Sequence, residues 1–230
     1  MTDVTHDKSA LILDEVLRHV AFDGWTDMTV SKAFTALDLS EGAKHIYAPG
    51  GALGLIRLWS DRLDAQMADD LRALDLDNMR VRDKVTEAVW MRLNLLSDHS
   101  EAARRAISRL ALPDGAGQAA AQLWAHADVI WTTIGDVSED YNYYTKRTIL
   151  AGVIGSTLMA WLSDETPDKS EARAFLERRI ENVMQFEKFK GQTLGTGLNA
   201  LSALPKPKEF LELIGKPRRR SKFQRRRYSR

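Results

Sequence analysis

Five histidines, at positions 6, 19, 45, 99 and 126, are the residues best suited to acid–base or metal chemistry, and they lie far apart in the chain. No HExxH and no Glu-x-x-His pair occurs among them, so no two stand at the spacing that puts metal ligands on one helical face. Cysteine is absent, which removes disulfides, thiolate zinc sites, iron–sulfur clusters and thiol nucleophiles together. There is no GxSxG, no phosphate-binding GxxxxGK[ST] and no GxGxxG behind a strand. Adjacent acids such as Asp69 and Asp70 point in different directions on a helix and read as solvated surface. His126, within an apolar helical pattern, reads as a satisfied core or pocket-rim residue. These residues predict no enzyme, no metal and no cofactor.

The elements that would position any site are helical. The 230 residues are 44% hydrophobic and 28% charged, ordinary values for a globular chain able to bury a core. Leu13, Val16, Leu17 and Val20 repeat at i, i+3, i+4, i+7 and predict a helix over about 8–22, closed by Gly24. Thr29 is expected to cap a short helix to Leu37, and Ser40 another to Tyr47. Pro49-Gly50-Gly51 breaks the chain before a long helix over about 52–74. Further helices are expected at about 81–96, 100–110, 117–134, 141–162 and 169–190. The predicted organisation is a three-helix unit over 1–49, a larger bundle over 50–190, a linker over 191–207 and a terminal segment over 208–230.

No apolar run approaches the roughly 20 residues that span a bilayer. The N-terminus carries no recognisable secretory or mitochondrial address. A bacterial cytoplasm with attachment to the inner membrane is the expectation, or the matrix face of the mitochondrial inner membrane for an organellar form. Charge is unevenly spread. Nine basic residues and no acids fall in 216–230, which leaves −8 on residues 1–215 against a total of +1. Just upstream, Pro207 opens and Gly215 closes a short amphipathic pattern. Phe210, Leu213 and Ile214 share one face of it, with Leu211 at the margin. An apolar face followed by a polybasic run resembles an interfacial membrane anchor. The expected membrane-binding residues are Lys208, Phe210, Leu211, Leu213, Ile214, Arg218, Arg219 and Arg220.

Two resemblances sharpen this reading. The run Leu13…Phe22…Gly24-Trp25…Met28-Thr29-Val30…Phe34…Leu37-Asp38-Leu39-Ser40…Ile46-Tyr47 resembles the helix-turn-helix unit of TetR-type repressors. The fold class it implies is all-α and TetR-like: a three-helix unit, a larger helical bundle and, here, a C-terminal amphipathic helix. Groove reading needs a basic footprint, yet residues 1–62 hold six basic residues against nine acids, a net of −3. Specific DNA binding is therefore not expected, and a ligand-responsive TetR-type regulator is the alternative reading rather than the first.

The second resemblance is closer. Asp140-Tyr141-Asn142-Tyr143-Tyr144-Thr145-Lys146-Arg147 with Ile149–Ile154, Leu123-Trp124, Trp131 and Gly135-Asp136 upstream, and Phe175–Met184 downstream, resembles one family. It is the lipid-binding accessory proteins of ubiquinone biosynthesis, the ninth COQ family. Tyr143 stands where that family often has Trp. The resemblance implies a non-catalytic protein that binds an isoprenoid quinone intermediate, docks the di-iron demethoxyubiquinone hydroxylase and rests on an anionic membrane surface. The repressor-like fold, for its part, implies a homodimer, since such folds often dimerise through their last two helices; no sequence feature decides it.

The implied lipid-binding residues are Trp131, Ile134, Tyr144, Ala151, Ile154, Gly155, Leu158 and Trp161. The implied partner-binding residues are Asp140, Tyr141, Tyr143, Tyr144 and Arg147. Glycines cost a helix roughly 1 kcal/mol each against alanine, so Gly152 and Gly155 in one helix signal either close helix packing or a cavity.

Overall fold

The computed structural model describes residues 2–138 and 141–193. Along the chain run α1 (Thr2–Asp23), α2 (Asp27–Ala36), α3 (Lys44–Tyr47), α4 (Gly51–Arg72), α5 (Val81–Asn94), α6 (Ser100–Leu110), α7 (Ala116–Thr133), α8 (Tyr141–Ser163) and α9 (Ser170–Thr193). Short 3-10 turns precede α3 and α6. No strand occurs among the described residues, so the chain is all-α as its periodicity predicts. The predicted terminal segment, with Lys208, Phe210, Leu211, Leu213, Ile214, Arg218, Arg219 and Arg220, lies outside the described residues.

Residues 1–184 make one compact unit. Residue 49 therefore marks a change of motif and not a break in the core. Ile12, Leu13, Val16, Leu17 and Val20 bury one stripe of α1, and it merges with Leu55, Ile56 and Trp59 of α4. Trp25 couples the two parts directly: its indole N–H donates to the Ala102 carbonyl of α6 at 3.0 Å, and its ring lies 5.6 Å from that of Trp59.

Capping differs from expectation in two places. Thr26, not Thr29, caps α2, its hydroxyl oxygen accepting from the Thr29 N–H at 3.1 Å. Thr29 is fully buried instead, and its hydroxyl donates to the Gly24 carbonyl at 2.8 Å. The turn at Gly24, with φ +72, brings the start of α2 forward to Asp27, about one turn ahead of the expected start. Ser40 makes no side-chain cap and precedes a 3-10 turn, so the expected third helix over 40–47 is reduced to the four residues of α3.

The turn into α4 is tight. Gly50 adopts φ +80 and Gly51 φ +57, a conformation that suits glycine. Gly54 then sits directly under the preceding loop: a Cβ there would fall 1.9 Å from the Pro49 carbonyl oxygen. Gly54→Ala is expected to gain helix propensity but lose about 1–3 kcal/mol to overpacking, because the clashing atom is backbone. A urea midpoint equal to or above that of the wild type would show that the Pro49 peptide can move at little cost.

At the far end, Asp164 organises the α8–α9 turn. Its carboxylate accepts from the Thr166 hydroxyl at 2.6 Å, the Thr166 N–H at 2.8 Å and the Ala172 N–H of α9 at 2.8 Å. The Thr166 hydroxyl, the two backbone donors and nearby Lys169 hold this carboxyl below its ordinary value, although burial opposes them. A depressed carboxyl contributes stability above its unfolded value and loses it as pH falls through the folded one. Wild type is therefore expected to lose stability more steeply than Asp164→Asn below about pH 4, measured by urea unfolding from pH 5 to pH 2. Parallel curves would remove the assignment.

Candidate docking surface on α7 and α8

Helices α7 and α8 pack antiparallel, and α7 also lies against α4. Their shared inner side carries Ala127 and Ile130 from α7, and Leu150, Val153, Ile154, Trp161 and Leu162 from α8, all buried. The two glycines of α8 have separate explanations. A Cβ on Gly155 would lie 3.3 Å from Leu123 Cδ1 of α7, so this glycine permits close helix packing. Gly152 is exposed, with nothing within 4 Å of such a Cβ.

The expected lipid-binding residues divide by depth. Ile154 and Trp161 are core, 4% and 1% exposed, so a lipid reaches them only if the bundle opens. Trp131, Ile134, Ala151, Gly155 and Leu158 are half-buried. Tyr144 is on the surface, 52% exposed. Two clefts open elsewhere: one of about 500 Å³ beside Lys44, His45 and Pro49, and one of about 490 Å³ between α5 and α9. Neither is lined by any of the eight. The indole nitrogens of Trp131 and Trp161 and the amide nitrogen of Gln122 are buried without a hydrogen-bond partner.

The expected partner-binding residues come together more closely. Asp140 lies outside the described residues, as does the side chain of Tyr141. Tyr143 and Tyr144 meet edge to face with centroids 5.1 Å apart, and the Tyr144 ring lies 6.1 Å from Trp124 of α7. The Tyr143 hydroxyl donates to Asp128 at 3.1 Å, and that carboxylate holds the phenol above its ordinary value. Arg147 is buried at 2% side-chain exposure; its Nε donates to Asp128 at 2.6 Å and its Nη1 to Asp136 at 3.3 Å. A guanidinium so placed does not present itself to a partner, which corrects its expected role as a contact.

Lys146 donates to Asp136 at 2.7 Å and lies over the Trp131 ring. Burial raises the cost of ionising Asp136, but Lys146, Ser138 and Arg147 outweigh it and hold the carboxyl below its usual value. The pattern of residue types announces Tyr143 and Tyr144; it does not announce Asp128, within an apolar helix, as the group that orders them.

A second polar cluster was equally hidden. Asp64 of α4 is buried and accepts from Arg92 Nε of α5 at 2.7 Å. Its other oxygen lies 2.5 Å from His126 Nδ1 of α7, and Ser60 Oγ is 3.4 Å from His126 Nε2. His126 is thus a partnered residue at a helix junction, as its setting predicts. The i, i+4 spacing of Ser60 and Asp64 on one helical face was the available signal.

Similar proteins agree with this architecture in two steps. The fold is that of TetR-type regulators: a TetR transcriptional regulator from Nitrosomonas europaea superposes with a TM-score of 0.60 at 16% identity, covering 75% of this chain and 95% of that one. In sequence the relatives are different proteins. The COQ9 family model matches residues 116–187, from the start of α7 into α9. "Ubiquinone biosynthesis protein COQ9, mitochondrial" of Rattus norvegicus is 29% identical over 192 residues, covering 81% of this chain and 62% of that protein. The Homo sapiens protein of the same name is 28% identical, covering 81% and 60%. The chain is thus similar in sequence to COQ9 proteins and has a TetR-like fold, and it spans about three fifths of the length of these relatives.

Proposed function

We propose that this chain is an accessory protein of ubiquinone biosynthesis, without catalytic chemistry of its own. It binds a polyprenyl quinone intermediate and presents it to the di-iron demethoxyubiquinone hydroxylase at a membrane surface. The observation that carries the reading is the coincidence of the COQ9 match at 116–187 with the aromatic surface on α7 and α8. Half-exposed tyrosines over a paired ionic base suit the centre of a protein interface. No described helix is long and apolar enough to cross a membrane; the proposal gives membrane attachment to the terminal segment on the strength of its apolar positions and basic run. The regulator alternative loses ground to α3, whose four residues make one helical turn where groove readers lay a longer helix.

Native mass spectrometry of the full-length protein, with organic extraction of what co-purifies, tests the cargo. A polyprenyl quinone or related isoprenoid is the expected finding. A protein that stays empty when offered quinones in detergent would remove lipid presentation. Docking is tested separately: Tyr144→Ala is expected to weaken hydroxylase binding by about thirtyfold or more, the loss that marks an interface hot spot, with an unchanged melting temperature. Wild-type binding by that variant would remove this surface from the proposal.

A further inference from the structure

We infer that Arg147 is a positioning residue: clamped between Asp128 and Asp136 and stacked on Tyr143, it sets the Tyr143–Tyr144–Trp124 surface for a partner that it never touches. The inference rests on the docking reading of that surface. Three segments meet at this guanidinium. Asp128 belongs to the C-terminal third of α7, Asp136 to the turn after it and Tyr143 to the first turn of α8. Arg147 Nε pairs with the first at 2.6 Å and Nη1 with the second at 3.3 Å; Nη1 also approaches the Tyr143 carbonyl at 3.3 Å. Its Cζ lies 3.5 Å from the centroid of the Tyr143 ring.

Tyr143 is thereby held on three sides. Its hydroxyl is spent on Asp128, one face is covered by Arg147 and an edge contact runs to Tyr144. Tyr144 takes its orientation from Tyr143 and Trp124 and is the ring left half-exposed. The clamp needs arginine specifically. A planar fork can address two carboxylates and stack on an aromatic ring at once, whereas an ammonium is a point charge on a flexible stem. Burying the guanidinium is tolerable because both carboxylates answer it, and Lys146 holds Asp136 from its other side. The outcome is a preorganised aromatic face, whose rotamers are fixed before a partner arrives.

The test measures hydroxylase affinity for wild type, Tyr144→Ala, Arg147→Met, Arg147→Lys and the Tyr144→Ala/Arg147→Met double variant. Amide hydrogen exchange of each free protein is followed alongside. Arg147→Met is expected to lose about tenfold in affinity, the double variant to bind no worse than Tyr144→Ala, and faster exchange to be confined to about residues 128–148. Arg147→Lys should fall between wild type and Arg147→Met, and it decides the matter if the Met variant does not fold. Additive losses would overturn the inference, since they mean an independent contact. So would full affinity in Arg147→Met and Arg147→Lys, or faster exchange throughout the unit, which marks a merely structural role. The docking reading is judged on Tyr144→Ala alone: wild-type affinity there sinks both, whereas a loss there with unchanged Arg147 variants sinks only this inference.

Discussion

Arg92→Met is expected to destabilise the protein by about 3–5 kcal/mol, the usual cost of leaving one member of a buried ion pair alone. Asp64 would keep only His126 and would stay out of water at 4% exposure. The Arg92 side chain is itself 9% exposed, so solvent cannot replace it without opening the α4–α5 contact. The companion variant Arg92→Met/Asp64→Leu should recover most of the loss, because replacing a whole buried pair by apolar groups is commonly near neutral. Urea unfolding with an unchanged slope is the measurement. A loss under 1 kcal/mol for the single variant would mean that water reaches Asp64, and the α4–α5–α7 junction would then be looser than its geometry shows.

The second large effect belongs to the terminal segment. Deleting residues 206–230 is expected to abolish flotation with anionic liposomes while leaving helical content in place. Four large apolar side chains at 210, 211, 213 and 214 set an upper bound of roughly 1.5–3 kcal/mol each for full burial, and an interface realises only part of it. The nine basic residues of 216–230 add on the order of 1 kcal/mol apiece near an anionic surface, with diminishing returns. Flotation that rose in salt, or survived the deletion, would place membrane attachment elsewhere.

The longer described helices were legible from 3.6-residue periodicity, because they bury apolar stripes such as Ile12, Leu13, Val16, Leu17 and Val20 of α1, whereas α3 buries no residue. Boundaries were less so. Thr29 has the right type for a cap, but the tight turn at Gly24 placed Thr26 one turn earlier and sent Thr29 inward. The aromatic pair Tyr143 and Tyr144 could be singled out from the Asn-Tyr-Tyr-Thr-Lys-Arg run, whereas burial of Arg147 could not. Its fate depends on Asp128 and Asp136, 19 and 11 residues upstream, and one-dimensional spacing does not say which acids face which cation. Gly152 and Gly155 looked alike in sequence; only the position of Leu123 tells packing from exposure.

The one-turn α3 has a thermodynamic consequence. In a repressor, a ligand in the bundle must also shift the reading helices, and part of its binding free energy is spent on that second equilibrium. Here the element at the end of that linkage is four residues long and bound to its own unit, with Ser9 of α1 donating to the Tyr47 carbonyl at 2.8 Å. The proposed cargo would then work against no shift of a longer reading helix. On that proposal its affinity would be set where it binds, leaving occupancy free to be coupled to a partner on α7 and α8.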